Sequence, residues 1–209
     1  ADQIENTLGS IVWHEDQSGL FYTPTDDNWR HDKVLFHKLG TKNIDDKLIF
    51  HEKDPLYYVS VGKSSSKEYI FITASGHDSN EMYFIKMSDK TFTPQLVLPR
   101  KDRIQYSIDH NGLFFYQYTN DGAKNFQILK AESNDYSATK PWSTYIAEKK
   151  DKYLSSFDLT QNYLLMNYKV KGLAELVARN LDNETQQVLN FPENTYTADI
   201  YSTNFKEND

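Results

Sequence analysis

Apolar positions along the chain fall into short runs, broken by turn-forming residues roughly every 8 to 12 positions, as expected of strands joined by tight connections. Four runs open comparable stretches: "IVWHED" at Ile11, "YYVSVGKS" at Tyr57, "IQYSIDHN" at Ile104 and "YLSSFDLTQ" at Tyr153, spaced 46, 47 and 49 residues apart. Each is followed by a second run: "GLFYT", "EYIFIT", "GLFFYQY" and "NYLLMNY". Third runs carry a basic residue two places after an apolar one, at Phe36/Lys38, Phe84/Lys86, Ile128/Lys130 and Val177/Arg179. A fourth run closes each unit ("KLIFHEKD", "QLVLPRKD", "STYIAEKKD", "QQVLNFPEN"), the first three ending in Lys-Asp at Asp54, Asp102 and Asp151.

Four short strands per unit with a period in the forties predict blades of a β-propeller. A solenoid of helix pairs shares the period, but β-branched and aromatic residues fill these runs. One segment is ambiguous: Leu173, Leu176, Val177 and Leu181 follow helical spacing, whereas the repeat register makes "LAELVARNL" the third strand of its unit. The reading is all-β: one partial propeller domain over residues 1–209, with blades at about 11–54, 57–102, 104–151 and 153–194 and the first strand of a fifth at 196–205. In "TNDGAKNFQIL", Asp121-Gly122 predicts a hairpin turn between strands two and three of the third blade, because glycine accepts positive φ.

Composition adds few constraints. Tyr (15), Phe (12) and Trp (3) are too numerous for a solvated coil and suit strands. No apolar run approaches the ~18 residues of a membrane span, so no membrane partner is expected. The opening "ADQIENTLGS" lacks the basic-then-apolar pattern of a secretory leader, and a cytoplasmic location is the expectation. Cysteine is absent, which excludes disulfides and thiolate metal sites. A net charge of −7 without a basic patch argues against nucleic acid.

Catalytic motifs are missing. No G-x-S-x-G marks a nucleophile elbow; "GKSSS" at Gly62 lacks the second glycine and runs between two strands. Neither a phosphate loop nor H-E-x-x-H occurs, so no cofactor and no metal are expected. Asp26-Asp27 and Asp45-Asp46 read as solvated turns, and Asn183-Glu184-Thr185 is a glycosylation sequon that matters only in a secreted protein.

Several segments in order resemble the β-propeller of the prolyl oligopeptidase family of serine peptidases, and within it the oligopeptidase B group. "WHEDQSGLFYT" resembles W-x-x-D-x-x-x-L-F-Y-T, and "RHDKVLFHKLGT" resembles R-P-x-K-V-x-R-H-x-L-G-T. "DDKLIFHEKD", "SVGKSSSKEYIFI", "IDHNGLFFYQYTNDGAKNFQIL" and "FPENTYT" are similar to the segments that follow. His31, Phe36, Gln117 and Gln127 depart from the family's usual proline and arginines. The resemblance implies a piece of a propeller of seven blades. A separate α/β-hydrolase domain of the same parent chain would carry the Ser-Asp-His triad, and no position here matches it.

By the same resemblance the parent cleaves short peptides after Arg or Lys, and the propeller covers the active site and gates entry. In the blade parse the first runs line a central channel, which makes Asp109, His110 and Asp158 candidate channel or rim groups. Four blades cannot close a ring, so self-association of the piece is expected. The alternative is a non-enzymatic propeller scaffold, whose Trp-Asp or double-glycine marks are absent.

Overall fold

The structure, a computed structural model, describes residues 2–134, 136–189, 191, 196–200 and 205–206. Among the described residues sixteen strands form four antiparallel sheets of four, each a meander in chain order. The first contains β1 (Thr7–Trp13), β2 (Gly19–Pro24), β3 (Lys33–Lys38) and β4 (Lys47–His51). The second contains β5 (Tyr58–Lys63), β6 (Tyr69–Ser75), β7 (Asn80–Lys86) and β8 (Gln95–Leu98). The third contains β9 (Tyr106–His110), β10 (Phe114–Thr119), β11 (Gln127–Glu132) and β12 (Ser143–Ile146). The fourth contains β13 (Tyr153–Leu159), β14 (Tyr163–Val170), β15 (Leu173–Asn180) and β16 (Gln186–Leu189). A 3-10 turn, Asn43–Asp45, precedes β4. The expected all-β propeller architecture is what forms: four blades of four strands.

The chain divides into two compact units, Ala1–Ile104 and Gln105–Asp209. In the first, Val12, Phe21 and Phe36 stand opposite one another across β1, β2 and β3 and pack with Val59, Val61, Ile70, Ile72 and Ile85 of the second sheet. Phe21, Phe36 and Phe92 close this core as three mutually packed rings with centroids 4.7 to 5.0 Å apart. Gly19 opens β2 because no side chain fits there: a Cβ would meet the His37 carbonyl at 2.2 Å and the Phe36 ring at 2.6 Å. In the second unit, Tyr116 and Ile128 of the third sheet pack with Leu154, Leu164, Met166 and Val177 of the fourth. Within each unit the first strands of the two sheets are neighbours, β1 with β5 and β9 with β13.

One expectation is met as stated and two are refined. "LAELVARNL" is strand, and β15 pairs with β14 from Leu173 to Asn180; ladder pairing and burial of Leu176 and Val177 override the helical spacing. β1 begins at Thr7 rather than Ile11, with a register shift between Thr7 and Ile11, so its polar beginning carries no alternation to read. The Asp121-Gly122 connection is longer than a tight hairpin. Asn120 accepts from the Ala123 N–H at 3.1 Å and Ala123 from the Phe126 N–H at 2.9 Å, which makes two successive turns. Gly122 (φ 67°) and Phe126 (φ 64°) both take positive φ. Of the stretch expected to start a fifth blade, 201–204 lie outside the described residues, and 196–200 carry no strand.

Candidate functional site

Asp109 and Asp158 stand near the ends of β9 and β13, the neighbouring first strands of the second unit. Both are partly buried. Burial pushes the Asp158 carboxyl up, and the negative charge of Asp109 adds to the rise. Asp109 thus disfavours ionisation of Asp158 in a partly dry setting. The backbone N–H of His110 donates to Asp109 Oδ1 at 2.8 Å and fixes that side chain.

His110 itself is fully buried. Its Nδ1 accepts from the Gly112 N–H at 3.2 Å, its Nε2 lies 3.0 Å from Ser133 Oγ, and its ring packs on Phe115 at 5.2 Å. An unprotonated Nδ1 leaves the proton on Nε2, directed at Ser133. Burial pulls the imidazole down to about 4, so the ring is neutral at pH 7. The structure thus brings Asp109 and Asp158 together and turns the His110 ring toward Ser133.

A concave region lies in the first unit, a cleft of about 400 Å³ lined by Phe36, Phe92, Lys38, Lys90, Glu15 and Asp16. The His14 ring at its edge is fully engaged, with Nδ1 2.7 Å from Asp16 Oδ1 and Nε2 3.0 Å from the Met87 carbonyl. Among the described residues no group of three or more His, Asp or Glu is arranged to hold a metal ion. No described helix is long and apolar enough to cross a membrane.

Sequence reasoning missed two buried charge clusters. Arg100, just past β8, contacts Glu52 and, at 3.3 Å, Glu81, and its guanidinium covers the Tyr57 ring at 3.9 Å. Both glutamates are buried, at 7% and 8% exposure, and one cation links Glu52, just past β4 of the first sheet, to Glu81 on β7 of the second. The second cluster corrects the reading of Asp45-Asp46 as a solvated turn. The Asp46 side chain is 1% exposed, lies 2.7 Å from His37 Nδ1 and accepts the Tyr22 hydroxyl at 2.8 Å. Its signal in the sequence was faint: two acids preceding an apolar run look the same whether or not a distant imidazole reaches them.

Four four-stranded meanders whose first strands adjoin within each unit define a β-propeller. The whole chain, residues 1–209, matches the family described as prolyl oligopeptidase, N-terminal beta-propeller domain, and it belongs to that family. It is 31% identical over 204 residues to Protease 2 of Moraxella lacunata, covering 97% of this chain and 29% of that protein. It is 29% identical over 190 residues to dipeptidyl aminopeptidase BI of Pseudoxanthomonas mexicana, covering 90% and 26%. The fold superposes on oligopeptidase B from Leishmania major with a TM-score of 0.88 at 22% identity, over 94% of this chain and 29% of that one. Oligopeptidase B from Trypanosoma brucei with covalently bound antipain, in its closed form, gives 0.86 at 23%, with the same two coverages. The chain therefore spans less than a third of these relatives.

Proposed function

We propose that this chain is the non-catalytic propeller part of a cytoplasmic serine oligopeptidase, and that it works together with an α/β-hydrolase catalytic domain of the same parent chain. The four sheets are one partial propeller domain, continued by a further blade from about residue 196. In the parent, the propeller covers the active site and admits short, flexible peptides, which are cleaved after Arg or Lys. Asp109 and Asp158 stand on the first strands that would line the way in and attract the basic side chains of such peptides. His110 braces the end of β9 beneath them. The observation that carries this reading is the match of the whole chain to the peptidase family's propeller domain.

The test is an assay of the intact parent chain and of the 209-residue segment, side by side. Substrates are an arginyl and a lysyl chromogenic peptide, a folded protein rich in Lys, and a peptide that reports removal of N-terminal dipeptides. The parent should cleave the two basic peptides, spare the folded protein and be blocked by a serine-directed phosphonate. The segment should cleave nothing. Dipeptide release alone would replace the Arg/Lys assignment, and a parent without hydrolysis would make the propeller a scaffold.

A further inference from the structure

Opposite the core it shares with the second sheet, the first sheet carries two cross-strand rows, Trp13–Leu20–His37 and Ile11–Tyr22–Leu35–Leu48. Leu20, Tyr22 and His37 are buried on that face, while Ile11, Trp13 and Leu48 are about half exposed. Residues 2–6 run across it, tied at opposite ends of the β2–β3 pair. The Thr25 N–H, just past β2, donates to the Asn6 carbonyl at 2.7 Å. At the other end the Asn43 amide donates to the Gln3 carbonyl at 2.8 Å, and the Gly40 N–H donates to the Asp2 carboxylate at 2.6 Å.

His37 lies between this segment and the sheet. Its Nδ1 is 2.7 Å from Asp46 Oδ1, and its Nε2 is 3.6 Å from Asp2 Oδ2. Nε2 is buried and makes no hydrogen bond among the described residues, so charge rather than a directed bond acts between it and Asp2. An ionised carboxylate only accepts, and a neutral imidazole has one N–H and one lone pair. Either neutral tautomer therefore turns a lone pair toward one of the two carboxylates. The doubly protonated ring alone offers a proton to both. The surrounding groups agree with this. The Gly40 N–H, and then His37, hold the Asp2 carboxyl below its usual range. Burial, and then the bond to Asp46, push the Tyr22 hydroxyl up, so it stays a donor to Asp46.

We infer that His37 is a proton-operated clasp: doubly protonated, it pins residues 2–6 across the first sheet through Asp2, and loss of its Nε2 proton releases them. Asp46 from the loop before β4, Tyr22 from β2 and Asp2 from the segment itself are the titratable groups facing the ring. Release follows loss of that proton as pH rises, because only the doubly protonated ring faces both carboxylates with an N–H. The clasp holds in mild acid, until Asp2 itself takes a proton below its ordinary 3.8. Opening uncovers Leu20 and Tyr22 beside Ile11 and Trp13, which joins them into one apolar surface.

Hydrogen–deuterium exchange of the intact chain at pH 5.5, 7.0 and 8.5, corrected for intrinsic exchange, tests the clasp. Protection of residues 2–6 and of the Gly40 amide should fall several-fold from pH 5.5 to 8.5, while β6 and β7 stay unchanged. His37→Gln, which cannot titrate, should remove the pH dependence. Asp2→Asn, a partly exposed substitution that leaves the sheet intact, should lower protection at pH 5.5 to the alkaline level. Equal wild-type protection at pH 5.5 and 8.5 would overturn the inference, as would an unchanged pH slope in Asp2→Asn.

Discussion

The Asn125 carbonyl accepts the backbone N–H of Leu154 at 3.0 Å, which ties the loop before β11 directly to the first strand of the fourth sheet. The same asparagine donates its own N–H to the Glu148 carboxylate at 2.7 Å, and its side-chain amide reaches the Lys149 and Lys150 carbonyls at 3.1 and 3.2 Å. A loop that reads as a simple turn is thus a junction between two blades of one unit. Asn125→Ala leaves those carbonyls to water and should lower stability by about 1 kcal/mol. The neighbouring Lys124→Ala should stay within about 0.5 kcal/mol. Urea melts of the two variants check this; equal losses would contradict the junction.

Gly122, three residues earlier, has φ 67° and open space around its absent Cβ, so a side chain there meets strain from the backbone alone. Gly122→Val should cost about 1–3 kcal/mol in the same melts. A neutral result would mean the loop relaxes at no cost.

Arg100 is placed against both Glu52 and Glu81. Arg100→Met strands two buried carboxylates and should destabilise by about 3–5 kcal/mol, partly recovered by adding Glu52→Gln. Burial raises the Glu81 carboxyl, but the Tyr83 hydroxyl and Arg100 outweigh it, so the net shift is downward from 4.5. Its contribution is therefore complete above pH 4.5 and is lost as pH falls through the lower folded value. Denaturation of wild type and Arg100→Met from pH 6 to 3 should show the wild-type advantage shrinking with acid.

His110 has the same sign for a different reason. Its folded value of about 4 lies below the ordinary 6.5, so the unfolded chain takes up the proton first. Wild type should lose up to about 3 kcal/mol relative to His110→Gln as pH falls from 6.5 toward 4, then level off. Parallel pH–stability curves for the two proteins would place the buried imidazole elsewhere.

In the intact parent, Asp158→Asn should raise KM for basic peptides several-fold, leave kcat near its wild-type value and weaken the salt dependence of kcat/KM. An unchanged KM would remove the carboxylate pair from the substrate's path.

The isolated 209-residue chain should self-associate through its outer sheet faces, and light scattering across a concentration series measures this. The fourth sheet tempers the tendency. Asn167 holds residue 200 across its outer face, accepting from the Ile200 N–H at 2.9 Å and donating to the Ile200 carbonyl at 3.0 Å. Asn167→Ala should free that segment and increase the associated fraction. A monomeric mass at about 100 μM for both proteins would contradict the prediction.

Sixteen strands in four meanders were legible in the sequence because period-2 burial and turn residues act locally, and a repeat in the forties multiplies that signal fourfold. Even the helical spacing at Leu173 yielded to the register of the repeat. The family was legible too, since its motifs lie in the strands and turns that build each blade. Partners brought together across sheets were not legible. Glu52, Glu81 and Arg100 are separated by tens of residues, and Asp46 looks like a turn acid until His37 and Tyr22 close over it. His110 reads as a channel or rim candidate in the strand pattern, and the pattern says nothing of its contact with Ser133, 23 residues on. Local patterning states which residues alternate. Only tertiary packing decides which charged group a buried side chain meets, because that encounter depends on how sheets stack and loops fold back, and no spacing along the chain encodes it.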